Sequence, residues 1–120
     1  MAFANPQTVT IGGTAHSLKR INQDNFGAVY QKIATGLTIV MTVRHSYESK
    51  KADGSQIIRH NVDLTQTTYD VNGKAEVTQA YVVARSQVGK DPVVATNVLD
   101  ALGVLVDAQS ASIVDWDSGP

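Results

Sequence analysis

From Thr8 to Gln87 apolar and polar residues alternate in short runs with a period of two, broken by glycine-centred punctuation; after Gly89 the period lengthens toward that of a helix. The segment TVTI (Thr8 to Ile11) alternates, Gly12-Gly13 supplies the positive φ of a tight hairpin, and TAHSLKRI (Thr14 to Ile21) continues extended. NQDN (Asn22 to Asn25) reads as a polar turn. FGAVYQKI (Phe26 to Ile33) reads as a third strand, weakened or bulged at Gly27, before ATG turns the chain. The longest strand is expected over Leu37 to Ser49, with Leu37, Ile39, Met41, Val43 and His45 on a core face and Thr38, Val40, Thr42, Arg44 and Ser46 opposite. A charged turn at Asp53-Gly54 leads back through SQIIRHNVDLTQ, with Ile58, His60, Val62 and Leu64 inward and Arg59, Asn61 and Asp63 outward. TTYDVNGKAE, with Asn72-Gly73 at its centre, is expected to project as a loop before TQAYVVARSQ, a strand that sets Gln79, Tyr81, Val83 and Arg85 on one face.

Asp91 is an N-cap residue and Pro92 stands where a helix tolerates a missing N–H, so a helix is predicted from there. Thr96, Asn97, Asp100, Gly103 and Asp107 gather on one side, while Val94, Val98, Leu99, Ala101, Leu102, Leu105 and Val106 spread over the rest. QSASIVDW (Gln109 to Trp116) is expected to add a short second helix, and DSGP to be a frayed end.

The order is α+β: an antiparallel meander sheet with an N-terminal hairpin, then one or two helices. One domain of 120 residues is expected, with hairpin and sheet over 1–88 and a helical arm over 91–116. Burial arithmetic then points beyond one chain. A helix is roughly 10 Å across and strands lie about 4.8 Å apart, so one helix covers about two strands. The sheet has apolar face left over, and so has the helix, through Val94, Val98, Leu102 and Leu105. A two-fold dimer in which each helix crosses the partner's sheet satisfies both.

Composition narrows the function classes. Apolar residues make up 42% and charged residues 18%, a globular balance; no run is read as long enough to span a bilayer and no basic-then-apolar leader is read at the start. The absence of cysteine excludes disulfide scaffolds, thiolate metal sites and cysteine nucleophiles, and fits a reducing compartment. A formal net charge of −1 excludes nucleic-acid coating by bulk positive charge.

Of the histidines His16, His45 and His60, the last two share inward parity on neighbouring strands, but no HxH or HExxH spacing or acid cluster supplies the further ligands a metal needs. A small enzyme or ligand-binding domain would rest on that pair alone; core or sheet-end histidines are the plainer reading. His45 and Ser46 point to opposite faces and form no dyad. The glycine pairs do not lead from strand into helix and so cradle no phosphate. The carboxylates Asp24, Asp53, Asp70, Asp100 and Asp107 are scattered, with no acid/base spacing. No catalytic residue, metal or cofactor is assigned. The outward face is more telling: Arg44, Arg59 and Arg85 on three strands, with Tyr81 among short polar groups, suit a phosphate backbone and an unstacked base. An ordinary solvated sheet face is the competing reading, since threonine, arginine and tyrosine favour strands.

On these residues the chain resembles the coat proteins of small single-stranded RNA bacteriophages, the levivirus type. The resemblance is carried by the GG hairpin, TVRHS (Thr42 to Ser46), QAYVVARS (Gln79 to Ser86) and DPVVATNVLDALGVLV (Asp91 to Val106), and its order of elements covers nearly the whole chain. It implies homodimers with a continuous two-subunit sheet and interlocked helices. These assemble in the bacterial host cytoplasm into an icosahedral shell, the virion, around genomic RNA, with no membrane partner. It also implies an RNA hairpin bound as packaging signal and translational repressor. Tyr81 matches the family tyrosine that stacks on a hairpin-loop base. Thr42 and Ser46 match its small hydroxyl positions around Arg44, and Arg59 and Asn61 match positions it fills with threonine and lysine. Thr38 stands where a basic residue is frequent and Val83 where a polar one is, departures that point to a different preferred hairpin. Asp70, Asn72, Gly73 and Lys74 fall in the loop that meets neighbouring dimers; whether the acidic tail residues Asp115 and Asp117 lie near other subunits the sequence leaves open. A dimeric RNA-binding regulator that builds no shell is the alternative.

Overall fold

The computed structural model describes residues 3–115. Six strands form one antiparallel sheet in sequence order: β1 (Gln7–Ile11), β2 (Thr14–Asp24), β3 (Gly27–Ala34), β4 (Leu37–Tyr47), β5 (Ile57–Tyr69) and β6 (Ala75–Gln87). A single helix, α1 (Pro92–Val114), follows. The α+β meander with a C-terminal helix is therefore as the alternation of the sequence predicts.

The core arises from a bend in β2. Its first part pairs with β1 (Leu18 opposite Gln7) and its second with β3 (Lys19 opposite Gln31), with a register shift between Arg20 and Asn22. A bulge of this kind sharpens the local twist. The hairpin thus packs Val9, Ile11 and Leu18 against Tyr30, Ile39, Met41 and Val43, and Leu18, Tyr30 and Ile39 are 0% exposed. Lys32 Nζ reaches His16 Nδ1 at 3.0 Å, and the Arg20 guanidinium lies 5.5 Å from the Tyr30 ring centroid, closing the margins of this core.

Four expectations need correction. Asn22 to Asp24 is not a turn: after the bulge at Ile21 these residues pair with Val29, Ala28 and Gly27. The hairpin TTYDVNGKAE projects less as a loop than as a ribbon, because pairing continues to Tyr69 opposite Ala75, leaving only Asp70 to Lys74 to turn. There the Asp70 carboxylate accepts from the N–H groups of Asn72 (2.9 Å) and Lys74 (2.8 Å), while Gly73 takes φ 81°. There is no second helix over Gln109 to Val114: Ser110 and Ser112 are tolerated in one continuous helix that ends at the Asp115 cap. Trp116, Asp117 and the DSGP end lie outside the described residues. Finally, α1 is long and apolar enough by length and composition to cross a membrane, contrary to the expectation of no such run. Its polar residues interrupt the apolar run and lower its mean hydropathy, but not enough to take it out of that range.

The helix begins as its sequence dictates, with the Asp91 carboxylate accepting from Val93 N–H at 3.0 Å and Pro92 in the first turn. It then leaves the sheet. No residue of α1 is buried, and of the strands only β6 makes appreciable contact with it. Between them runs a groove of about 670 Å³, lined among others by Ala84, Ser86, Val94, Val98, Leu99 and Leu102.

Gly27 has the strictest steric role in the sheet, since a Cβ there would stand 2.2 Å from the carbonyl oxygen of Val43 on the adjacent strand. Gly27→Ala is expected to push β3 and β4 apart at their ends and to destabilise the fold by about 1 to 3 kcal/mol. A denaturant titration against the parent protein checks this; an unchanged midpoint would show that the strands part at no cost.

Candidate nucleic-acid interface

Antiparallel register brings the outward residues of β4, β5 and β6 into rows. Thr42 stands opposite Asp63 and Asp63 opposite Tyr81; Arg44 opposite Asn61 and Asn61 opposite Val83; Ser46 opposite Arg59 and Arg59 opposite Arg85. All seven residues expected to meet RNA therefore share one face within three adjacent rows. Tyr81 is 68% exposed and presents an open ring face. The Oδ1 atom of Asn61 is buried with no hydrogen-bond partner among the described residues, a polar atom left unsatisfied in the middle row.

The charge on this face differs from the open basic field that parity alone suggests, because each arginine has a carboxylate. Arg85 is gripped at both ends of its fork by Glu48, Nε to Oε2 at 2.7 Å and Nη2 to Oε1 at 2.8 Å. Arg59 Nε lies 4.0 Å from the same carboxylate, and Arg44 lies 3.8 Å from Asp24. The hydrogen bond from Arg85, with added attraction from Arg85, Arg59 and Lys51, holds the Glu48 carboxyl below its ordinary range, and Glu48 in turn holds Arg85 above its own. In the row of Tyr81, Asp63 accepts from Gln79 and from Thr65.

Sequence reasoning missed Glu48 because the strand was read for its face only as far as Ser46. Carrying the same parity two residues further places Glu48 beside Arg59 and Arg85. Asp24 had no such signal, since its position opposite Gly27, and so beside Arg44, depends on the bulge at Ile21.

On the opposite face, His45 and His60 are direct cross-strand partners, with Nδ1 atoms 2.8 Å apart and rings nearly perpendicular at 73°. His60 Nε2 lies 3.2 Å from Ser86 Oγ. Both hydrogen bonds are satisfied when His45 donates from Nδ1 to His60 Nδ1 and His60 donates from Nε2 to the serine. The described residues contain no cluster of three or more histidine, cysteine or acidic groups that could hold a metal. The pair is a hydrogen-bonded element of the sheet beside the α1 groove.

The sheet order, the N-terminal hairpin and the C-terminal helical arm are those that the resemblance to single-stranded RNA phage coat proteins implies. Residues 4–87 match the family model described as the coat protein of phage phiCb5. That span takes in all six strands, and the chain belongs to this family. Its role is thus structural, in the phage capsid, and its place is the virion. The helix lies beyond the matched span. No curated protein matches the chain.

The histidine pair gives the sheet a pH dependence. Partial burial, and secondarily the charge of His45, lower the pKa of His60 from 6.5. A histidine whose folded pKa is depressed binds its proton more readily when unfolded, so stability is full above pH 6.5 and is lost as pH falls from there toward the folded value. Melting temperature should decline below that pH in the parent protein and less so in His60→Gln. Parallel pH profiles for the two would rule out this pair as the source.

Proposed function

We propose that two copies of the chain form an obligate homodimer, joined along β6 and by the crossing of each α1 over the partner's sheet. Dimers then assemble in the host cytoplasm into a closed shell with the outward sheet face turned to the genomic RNA. What carries the reading is a helix with no buried residue, bearing exposed Val94, Val98, Leu102 and Leu105, beside a sheet whose apolar face over β5 and β6 is left open by the described residues. Fully burying each such side chain would contribute about 1.5 to 3 kcal/mol, so an unpartnered arm forgoes a large stabilisation. The ends of the β5–β6 ribbon, with Asp70, Asn72, Gly73 and Lys74, meet neighbouring dimers.

On the RNA side, Tyr81 stacks on an unpaired base, Thr42 and Ser46 border the base, and Arg44, Arg59, Asn61 and Arg85 meet the backbone. An RNA hairpin held in this way serves as packaging signal and as translational repressor. Membership of a coat-protein family supports the shell over a soluble dimeric regulator.

Purified protein should elute as particles far larger than a dimer and appear as uniform closed shells by electron microscopy, with nucleic acid inside. Leu102→Asp should abolish dimer and shell together; dimers that persist would show that the helix is not the interlocking element. A dimer and nothing larger in the parent protein would favour the regulator instead. Tyr81→Ala should weaken RNA binding by about 1 to 3 kcal/mol without loss of folding. Unchanged affinity would leave the ring with a purely structural place in the sheet.

A further inference from the structure

The cluster of Glu48, Arg59 and Arg85 is built as an anion site that already holds an anion. Its two arginines are register partners on β5 and β6, and Glu48 follows the last residue of β4. They line an open cleft of about 650 Å³ together with Tyr47 and Ser49. The side-on, two-point grip of Glu48 on Arg85, at 2.7 and 2.8 Å, is the same planar fork geometry in which a guanidinium receives a phosphate. The backbone of Glu48 is fixed independently of its side chain: its N–H donates to Ile57 O at 2.8 Å and its carbonyl accepts from Gln56 Nε2 at 2.9 Å. The carboxylate can therefore swing out of the cleft while the strand end stays in place.

We infer that Glu48 is a resident substitute for an RNA phosphate and sets the threshold for RNA binding on this face. A phosphate must displace the carboxylate to reach Arg85 and Arg59, and the cluster meets it with a net charge of one where two arginines alone would offer two. RNA that touches the face only through its backbone gains little from such an exchange. RNA that also stacks a base on Tyr81 gains enough to complete it. Glu48 is in this sense a specificity-determining residue, and the inference rests on the reading that the outward face meets RNA.

The test uses full-length protein and a labelled single-stranded oligouridylate as the unselective probe, with binding followed by fluorescence anisotropy over a range of salt. Glu48→Gln keeps the side-chain length and one acceptor oxygen while removing the charge. It should bind the probe about threefold to tenfold more tightly near 0.1 M salt. Its plot of log K against log salt should be steeper by up to about 0.7, the value for one more neutralised phosphate on a single strand. Adding Arg85→Gln to that variant should remove the gain.

Suppose instead that Glu48→Gln lowers the melting temperature and leaves affinity and salt slope as they were. Glu48 would then be a tie between strand ends, and the inference is wrong. If that happens while Tyr81→Ala still weakens binding, the RNA-facing assignment survives and only the role of Glu48 falls. If neither substitution alters binding, the outward face is not the RNA surface, and the assignment and the inference fall together.

Discussion

Leu18 closes the core of this protein because the N-terminal hairpin doubles back over β3 and β4, and the hairpin is only long enough to cover that half of the sheet. Everything else follows from the half left open. Val62 and Leu64 on β5 pack at the edge of the core and stay partly exposed, and the helix, instead of covering them, departs from β6. A single sheet layer with one short covering hairpin cannot satisfy the rule that apolar faces be buried in two layers. The fold thus leaves half of its apolar face open, and it is on that open half that the proposed dimer rests.

The same geometry separates two kinds of work onto two faces. Inward positions of β4 and β5 carry the apolar residues and the hydrogen-bonded histidines; outward positions carry arginine, tyrosine and hydroxyl groups. Because alternation along a strand fixes which residues share a face, a recognition surface can change without touching the core. Val83 stands in the middle row beside Asn61 in this way, on the outward face, while Val82 faces the other side. The carboxylates of Glu48, Asp24 and Asp63 temper that outward face, which keeps a chain of near-neutral charge from presenting unopposed positive patches.

Most of the architecture was legible because it is local. Strand periodicity, the Asp53-Gly54 and Asn72-Gly73 turns and the Asp91-Pro92 helix start each depend on a few adjacent residues. The bulge at Ile21 was not legible, since no glycine marks it and it becomes visible only when β2 is paired with β3. The end of the helix was read as a separate short one from Gln109, whereas a single helix runs unbroken to Val114. In the site, residue placement on the face followed from parity, but the ion pairs did not: Glu48 and Arg85 are 37 positions apart and meet only because two hairpins align them.

The thirteen residues of β6 form one edge of the sheet, and their outer row of backbone groups has no strand beside it among the described residues. Such an edge is a template open to any extended peptide. If a second copy closes this edge, as in the proposed dimer, a newly made chain folds in a race. Encounter with a matching copy is second order in concentration, while capture by unrelated unfolded chains depends on what else is being synthesised nearby. Abundant, clustered synthesis favours the correct outcome. For this fold the rate at which the protein is made is part of how it avoids aggregation.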